Sequence, residues 1–157
     1  MMNYQNVTTS YIDAESYPWI LFSPYSDVVF VKALKVEPVS GTFVTLLKAP
    51  ANVQLPRHHH CGTVIVYTIS GQWRYLEHDW VATPGSVVYE TAASTHTPAG
   101  CGEGEIITLN IQVGDSIYMD AKDNVLAIEN YRTMLDRHIA YHKAKGTTPV
   151  DITSFAD

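Results

Sequence analysis

The chain is poor in positive charge, with ten Lys and Arg against sixteen Asp and Glu and a formal net charge of −6. Phosphate backbones are held by clustered Lys and Arg, and no basic stripe exists, which argues against a nucleic-acid partner. Cysteine is scarce. Cys61 and Cys101 are too few for a disulfide scaffold, so a cytoplasmic protein with free thiols is the expectation. No apolar run approaches the length needed to cross a bilayer, and no membrane partner is expected. Met1-Met2-Asn3-Tyr4-Gln5-Asn6 lacks the charged and apolar regions of a signal peptide. Internal repeats, linkers and low-complexity stretches are missing too. What is present is a chain of 157 residues, 46% hydrophobic, long enough to bury one core as one domain.

The apolar residues come in short runs separated by turn signals. Val28 to Val36, Thr42 to Lys48 and Thr63 to Ile69 read as strands, closed by Pro38, Ala49-Pro50 and Ser70-Gly71, and Ser86 to Glu90 reads as another, opened by the turn Thr83-Pro84-Gly85. Punctuation about every ten residues predicts a sandwich or barrel. In Gln72 to Trp80, Trp73, Tyr75 and Glu77 would share one face. Glu105 to Val113 alternates most cleanly, with Ile107, Leu109, Ile111 and Val113 on one face and Ile106, Thr108, Asn110 and Gln112 on the other. Asp123-Asn124 marks a turn between two short strands. Only Glu129 to Lys145 has helical spacing, with Tyr131, Met134, Leu135, Ile139 and Tyr141 apolar and Gly146 able to end it. His138 and His142 sit four apart there and read as a solvated helix face.

Arg57-His58-His59-His60-Cys61-Gly62 stands in the middle of this β-rich chain, which has seven histidines in all. On extended chain the two-residue period puts His58 and His60 on one face and His59 on the other. Two imidazoles so placed can grip one metal ion. The plain alternative is three polar residues on an exposed loop.

His58-x-His60 and Gly71 resemble the first motif of the cupins. Gly85, five residues, Thr91-Ala92-Ala93, two residues and His96 follow the spacing of the second, with Thr91 in the place of a proline and Ala93 in that of a glycine. The resemblance implies an all-β, single-domain cupin over residues 1–157: a double-stranded β-helix or jelly-roll barrel with a C-terminal α-helix. Its parts would be an N-terminal arm over 1–27, a barrel core over about 28–128 and the helix over about 129–145. It also implies one divalent metal ion per chain on His58, His60 and His96. The glutamate of the first motif is missing, since Val64 and Ile65 stand where it would be. Three neutral imidazoles leave the full metal charge at the site, which favours an anionic chelating ligand such as an enolate. Three facial protein ligands leave room for a bidentate substrate and for dioxygen.

A cupin without that glutamate resembles the acetylacetone-cleaving dioxygenases. The stretch Trp73 to Thr83, with Gly85, resembles the 2,4'-dihydroxyacetophenone dioxygenase branch. Both resemblances imply Fe(II)-dependent cleavage of a C–C bond beside a carbonyl, in a β-diketone or 2-hydroxyketone that can be aromatic. The carbonyl compound and dioxygen would be the partners. Imidazole suits several metals, so Zn, Ni or Mn are alternatives to Fe(II). Two other functions stay open: a non-catalytic zinc-binding or sensing cupin, and a metal-assisted isomerase or lyase.

Glu90, six residues before His96, is the candidate to orient a ligand imidazole or act as a base. Tyr67, Trp73, Tyr75, Asn110 and Gln112 are the candidate substrate pocket. Glu77, His78 and Asp79 read as solvated turn residues, and Cys61 as a packing residue pointing away from the site. Tyr17 to Phe22 has no evident role within the chain, so the expectation is a homodimer or higher homo-oligomer in which this arm or an edge strand crosses to the partner.

Overall fold

The computed structural model describes residues 9–153; the segment read for a signal peptide, and the start of the arm, lie outside them. In chain order the elements are β1 (Ile20–Leu21), β2 (Phe30–Glu37), β3 (Thr42–Ala49), β4 (His58–His60), β5 (Val64–Ser70), β6 (Trp73–Tyr75), β7 (Val87–Glu90), β8 (Thr95–His96), β9 (Pro98–Gly100), β10 (Ile106–Val113), β11 (Ser116–Met119), β12 (Val125–Glu129) and α1 (Tyr131–Lys145). The fold is mostly β, in one domain, with the single helix at the C-terminal end.

A six-stranded sheet in the order β1-β2-β3-β10-β5-β7 lies with a four-stranded sheet, β12-β11-β4-β8, and the two-stranded pair β6-β9. The pairings are antiparallel, so short turns can join them. Gly71, between β5 and β6, is one turn residue that the packing dictates. Its φ is +75°, and a Cβ there would lie 2.7 Å from the Glu105 carbonyl oxygen. Only glycine takes both the left-handed backbone and the close approach.

Alternation decides which side chains line the barrel. Val64 and Val66 are buried on β5, while Tyr67 and Ile69 face out. On β10, Ile106, Thr108 and Gln112 turn inward, whereas Ile111 and Val113 are partly exposed. The polar face of that strand therefore lines the interior. Of the alternating stretch Gln72 to Trp80, only Trp73–Tyr75 is strand, because the chain turns after Leu76, where the His78 amide donates back to the Tyr75 carbonyl.

The arm has a role within its own chain. Tyr17, Ile20, Phe22 and Tyr25 are buried in the chain's own core, β1 pairs with β2, and the buried Lys32 ammonium donates to the Ala14 carbonyl. The chain thus uses its arm internally, contrary to the expectation.

Helix α1 starts two residues later than its pattern suggested, since Glu129 closes β12. The Asn130 side chain accepts from the Arg132 and Thr133 amides, and the Thr133 hydroxyl accepts from the Asn130 amide. Such a reciprocal box satisfies donors that a helix start leaves orphaned. Gly146, at φ +66°, ends the helix. The buried face is Met134, His138 and His142, while Ile139 is 45% exposed. The solvated-face reading of the two histidines is thus corrected: His138 Nε2 donates to the Val150 carbonyl at 2.9 Å, and His142 Nδ1 meets Thr147 Oγ1 at 2.7 Å. They bind the segment after the helix. Below them, Arg137 clasps the buried Glu129 carboxylate with contacts of 2.6 and 2.9 Å.

Candidate metal centre

Two adjacent strands of one sheet, β4 and β8, deliver the histidines. β4 lies between β11 and β8, with His58 directly opposite His96 and His60 opposite Ser116. His58, His60 and His96 are buried, and each offers one nitrogen within 4.8 Å of the others'. His60 Nε2 and His96 Nε2 are 3.1 Å apart. His59 is turned to the other face, where its Nδ1 meets Thr95 Oγ1 at 2.9 Å. Cys61 is exposed, and both cysteines are free.

The ring orientations are held from behind. His58 Nδ1 donates to the Pro56 carbonyl at 3.1 Å, which leaves Nε2 as the lone-pair nitrogen. Tyr118 packs on the His58 ring at 4.7 Å between centroids, and Tyr25 in turn on Tyr118 at 4.0 Å. The arm thereby supports a metal-facing imidazole. His60 Nδ1 lies 2.8 Å from Ser116 Oγ, which accepts from Gln112 Nε2 at 2.6 Å. Tyr75 stacks flat on His96, 3.7 Å between ring centres and 9° from parallel. Burial, then the neighbouring imidazoles of His60 and His96, push the His58 pKa down to about 3. A neutral imidazole is the metal-binding form.

The turn between β7 and β8 places His96. The His60 amide donates to the Ser94 carbonyl, and the Ala93 amide donates back to the His60 carbonyl. Ala93 has φ +68°. The glycine of the second motif has a physical reason at this position, since only glycine enters that region without strain.

Glu90 enters the site from β7. Its Oε2 is 2.9 Å from His60 Nε2 and 3.4 Å from His96 Nε2, while Oε1 accepts the Tyr75 hydroxyl. Burial alone would raise its pKa, but the imidazoles of His60 and His96 outweigh burial and hold the carboxyl down at about 2. Tyr75 keeps its proton, because burial and then the Glu90 charge push its pKa well up. Glu90 Oε2 is buried and has no aligned hydrogen-bond partner. Glu90 thus stands against the His60 and His96 imidazoles, beside the donor set of His58, His60 and His96 that could hold a metal ion.

The carboxylate missing from β5 is thus supplied next door. Glu90 is the direct cross-strand partner of Val64, one of the two positions where the first motif would have its glutamate. The candidate donor set is the three histidines, as expected, and the Glu90 carboxylate stands beside it from the neighbouring strand. No signal within the motif marks this, because it depends on the register of β5 against β7.

The remaining candidates separate. Trp73, Asn110 and Gln112 line an interior cavity of about 110 Å³ that also touches His58 and His60. Tyr75 borders both this cavity and a second one of about 570 Å³ on the other side of the site. Tyr67 lines neither, and at 43% exposed it stands on the outer face of the six-stranded sheet. It is withdrawn from the pocket, for β5 alternation turns it away from Val66. Glu77 is tied to the site's flank, with its carboxylate accepting from the Thr97 amide and hydroxyl at 2.9 and 2.8 Å. His78 stacks on Trp80 at 5.4 Å.

The sequence profile described as the ChrR cupin-like domain matches residues 7–113, more than half of the chain. Among curated proteins no sequence matches. Solved structures do. An RmlC-like cupin protein from Ralstonia eutropha is 52% identical, with a TM-score of 0.93, covering 99% of this chain and all of its own. A protein of unknown function with a cupin-like fold from the same organism is 21% identical, with a TM-score of 0.83, over 100% and 97% of the two chains. An acetylacetone dioxygenase from Acinetobacter johnsonii is 16% identical, with a TM-score of 0.77, over 89% and 97%; at that identity the likeness is one of fold. Among the described residues no helix is long and apolar enough to cross a membrane.

Proposed function

The chain belongs to the ChrR cupin-like family, and from that premise we propose that it is a metal-dependent dioxygenase, using Fe(II), that cleaves a C–C bond beside a carbonyl in a β-diketone or 2-hydroxyketone. The observation that supports this most is the convergence of His58, His60 and His96, three buried imidazoles, on one point beside a cavity. These residues would hold the metal. When bound, it would supply Lewis acidity toward an enolisable ketone and, as iron, electrons for dioxygen.

The chain's own groups do the rest. Tyr118 and Ser116 fix the ring planes of His58 and His60. Tyr75 covers one face of His96 and fastens Glu90. Two roles were open for Glu90, and its position 2.9 Å from His60 Nε2 and 3.4 Å from His96 Nε2 supports the one of orienting the ligand imidazoles. Glu90 acts as a fixed negative group beside the donors, lowering the net charge that three imidazoles alone would leave.

One observation favours a second reading. Glu90 Oε2 can complete a four-donor set, and a closed four-coordinate site is the mark of structural zinc. The experiment that separates the two is dioxygen uptake by protein loaded with one equivalent of Fe(II), given acetylacetone or 2-hydroxyacetophenone. Uptake matched by carboxylic-acid product supports the enzyme. No uptake with iron fully bound, together with tight zinc in protein purified without added metal, supports the closed site instead.

A further inference from the structure

The donors stand between two spaces, and the two differ about fivefold in size. The interior cavity is about 110 Å³, below the roughly 300–1,000 Å³ of small-molecule sites. The other, about 570 Å³, falls within that range. It runs along β7, which is the free edge of the six-stranded sheet, and the facing wall is the turn after β6. Its floor is Tyr75, Glu90 and His96.

Its walls are aromatic and aliphatic. Trp80 lies against His78, and its ring meets Tyr75 edge-on at 5.4 Å. Opposite are Val87 and Tyr89, 63% and 64% exposed. Setting the histidines aside, Glu90 is the one ionisable acid or base that lines the groove besides the phenols. Among the described residues Ser94 Oγ is a buried oxygen with no hydrogen-bond partner, and Ser94 lines this groove. An unpaired buried hydroxyl costs about 1–3 kcal/mol, which a ligand oxygen would relieve.

We propose that this groove, rather than the barrel interior, is the substrate site, and that it takes an aryl ketone whose oxygen end meets the metal donors and Ser94 Oγ while its ring lies between Trp80 and Tyr89. The proposal rests on the dioxygenase reading for the metal, but the groove itself stands on its size, its lining and the unpartnered Ser94 hydroxyl. Trp73, Asn110 and Gln112 then shape the barrel and hold His60 rather than touch the substrate.

The test is titration of Zn(II)-loaded protein, which is redox-silent, with benzoylacetone, reading tryptophan fluorescence and calorimetric heat. Wild type should bind, with acetylacetone at least tenfold weaker for want of the ring. Trp80→Ala should weaken benzoylacetone at least tenfold and leave acetylacetone within twofold. Ser94→Ala, a one-atom change that keeps the fold, should weaken both about three- to tenfold. Thr45→Leu, which fills the interior cavity, should change neither. Loss of binding in Thr45→Leu with full binding in Trp80→Ala and Ser94→Ala overturns the groove. So does a wild type that prefers acetylacetone or binds neither compound, in which case oxygen uptake with aliphatic ketones still judges the dioxygenase reading separately. Equal benzoylacetone affinity in metal-stripped protein, with the Trp80→Ala and Ser94→Ala losses intact, supports the groove and counts against substrate–metal contact.

Discussion

Glu90→Gln isolates the carboxylate that β7 brings to the site. Glutamine keeps an acceptor for the Tyr75 hydroxyl, so it avoids leaving that buried phenol unpaired, which would cost about 1–3 kcal/mol in stability. What it removes is the negative charge whose Oε2 stands 2.9 Å from His60 Nε2 and 3.4 Å from His96 Nε2. Groups in this position typically change metal affinity about 10–100-fold, or about 1.4–2.7 kcal/mol. The assay is competition for Zn(II) and Mn(II) against a chromogenic chelator. The decisive arm is Val64→Glu combined with Glu90→Gln. Val64 is the direct cross-strand neighbour, with opposed Cβ atoms typically about 5 Å apart, so the charge is moved across the ladder rather than lost. We expect the double variant to regain most of the affinity that Glu90→Gln loses. Affinity in Glu90→Gln equal to wild type would refute the reasoning, because the carboxylate would then lie outside the metal's reach and the site would be one of three imidazoles.

Four further outcomes are expected. His96→Ala should abolish tight metal binding, and undiminished metal content by elemental analysis would contradict the ligand set. Ala93→Gly should raise stability by about 1 kcal/mol, since a left-handed alanine costs about 1–2 kcal/mol, seen as a rise of about 2–4 °C in Tm; an unchanged or lowered Tm would show that the turn carries no strain. Arg137→Met should cost about 3–5 kcal/mol, because it leaves the Glu129 carboxylate buried and unpaired, and Glu129→Gln in the same chain should recover part of it; a loss under about 1 kcal/mol would mean the pair behaves as a surface one. Burial, then the His142 charge, lowers the His138 pKa, so below its ordinary value of about 6.5 the unfolded chain binds more protons than the folded one. Stability should therefore fall as pH drops through that value, and Tm between pH 7.5 and 5 should fall less in His138→Gln; equal slopes would remove His138 from the acid response.

The strands and the histidines were legible because each is written in local residues. β-branched runs closed by Pro and Gly locate β2, β3, β5 and β7 within two residues of their observed ends. The two-residue period of an extended chain separates His59 from its neighbours without any tertiary information. Misreadings came where tertiary packing overrode local pattern. His138 and His142 look polar and hence solvated, yet one ring nitrogen of each finds a partner in the segment after the helix, which packs over them. Tyr17 to Phe22 looks like a spare apolar arm, yet it closes the barrel over Tyr118 and so reaches the metal-facing ring of His58.

Glu90 shows the limit most clearly. Its six-residue distance from His96 made it a candidate, but nothing local to it says that its carboxylate faces the same point as three imidazoles. That follows only from the antiparallel register that sets Val64 against Glu90, fixed in turn by Gly71 and the β7 turn. A motif is a spacing along one chain, whereas a metal site is a set of positions across neighbouring strands. Because adjacent inward positions on two antiparallel strands bring their side chains to nearly the same place, a donor can leave one strand and reappear on the next with the site's charge conserved. The loss of a glutamate from a motif therefore does not by itself establish that the metal has lost its carboxylate, and the charge expected at this centre is that of three imidazoles and one anion.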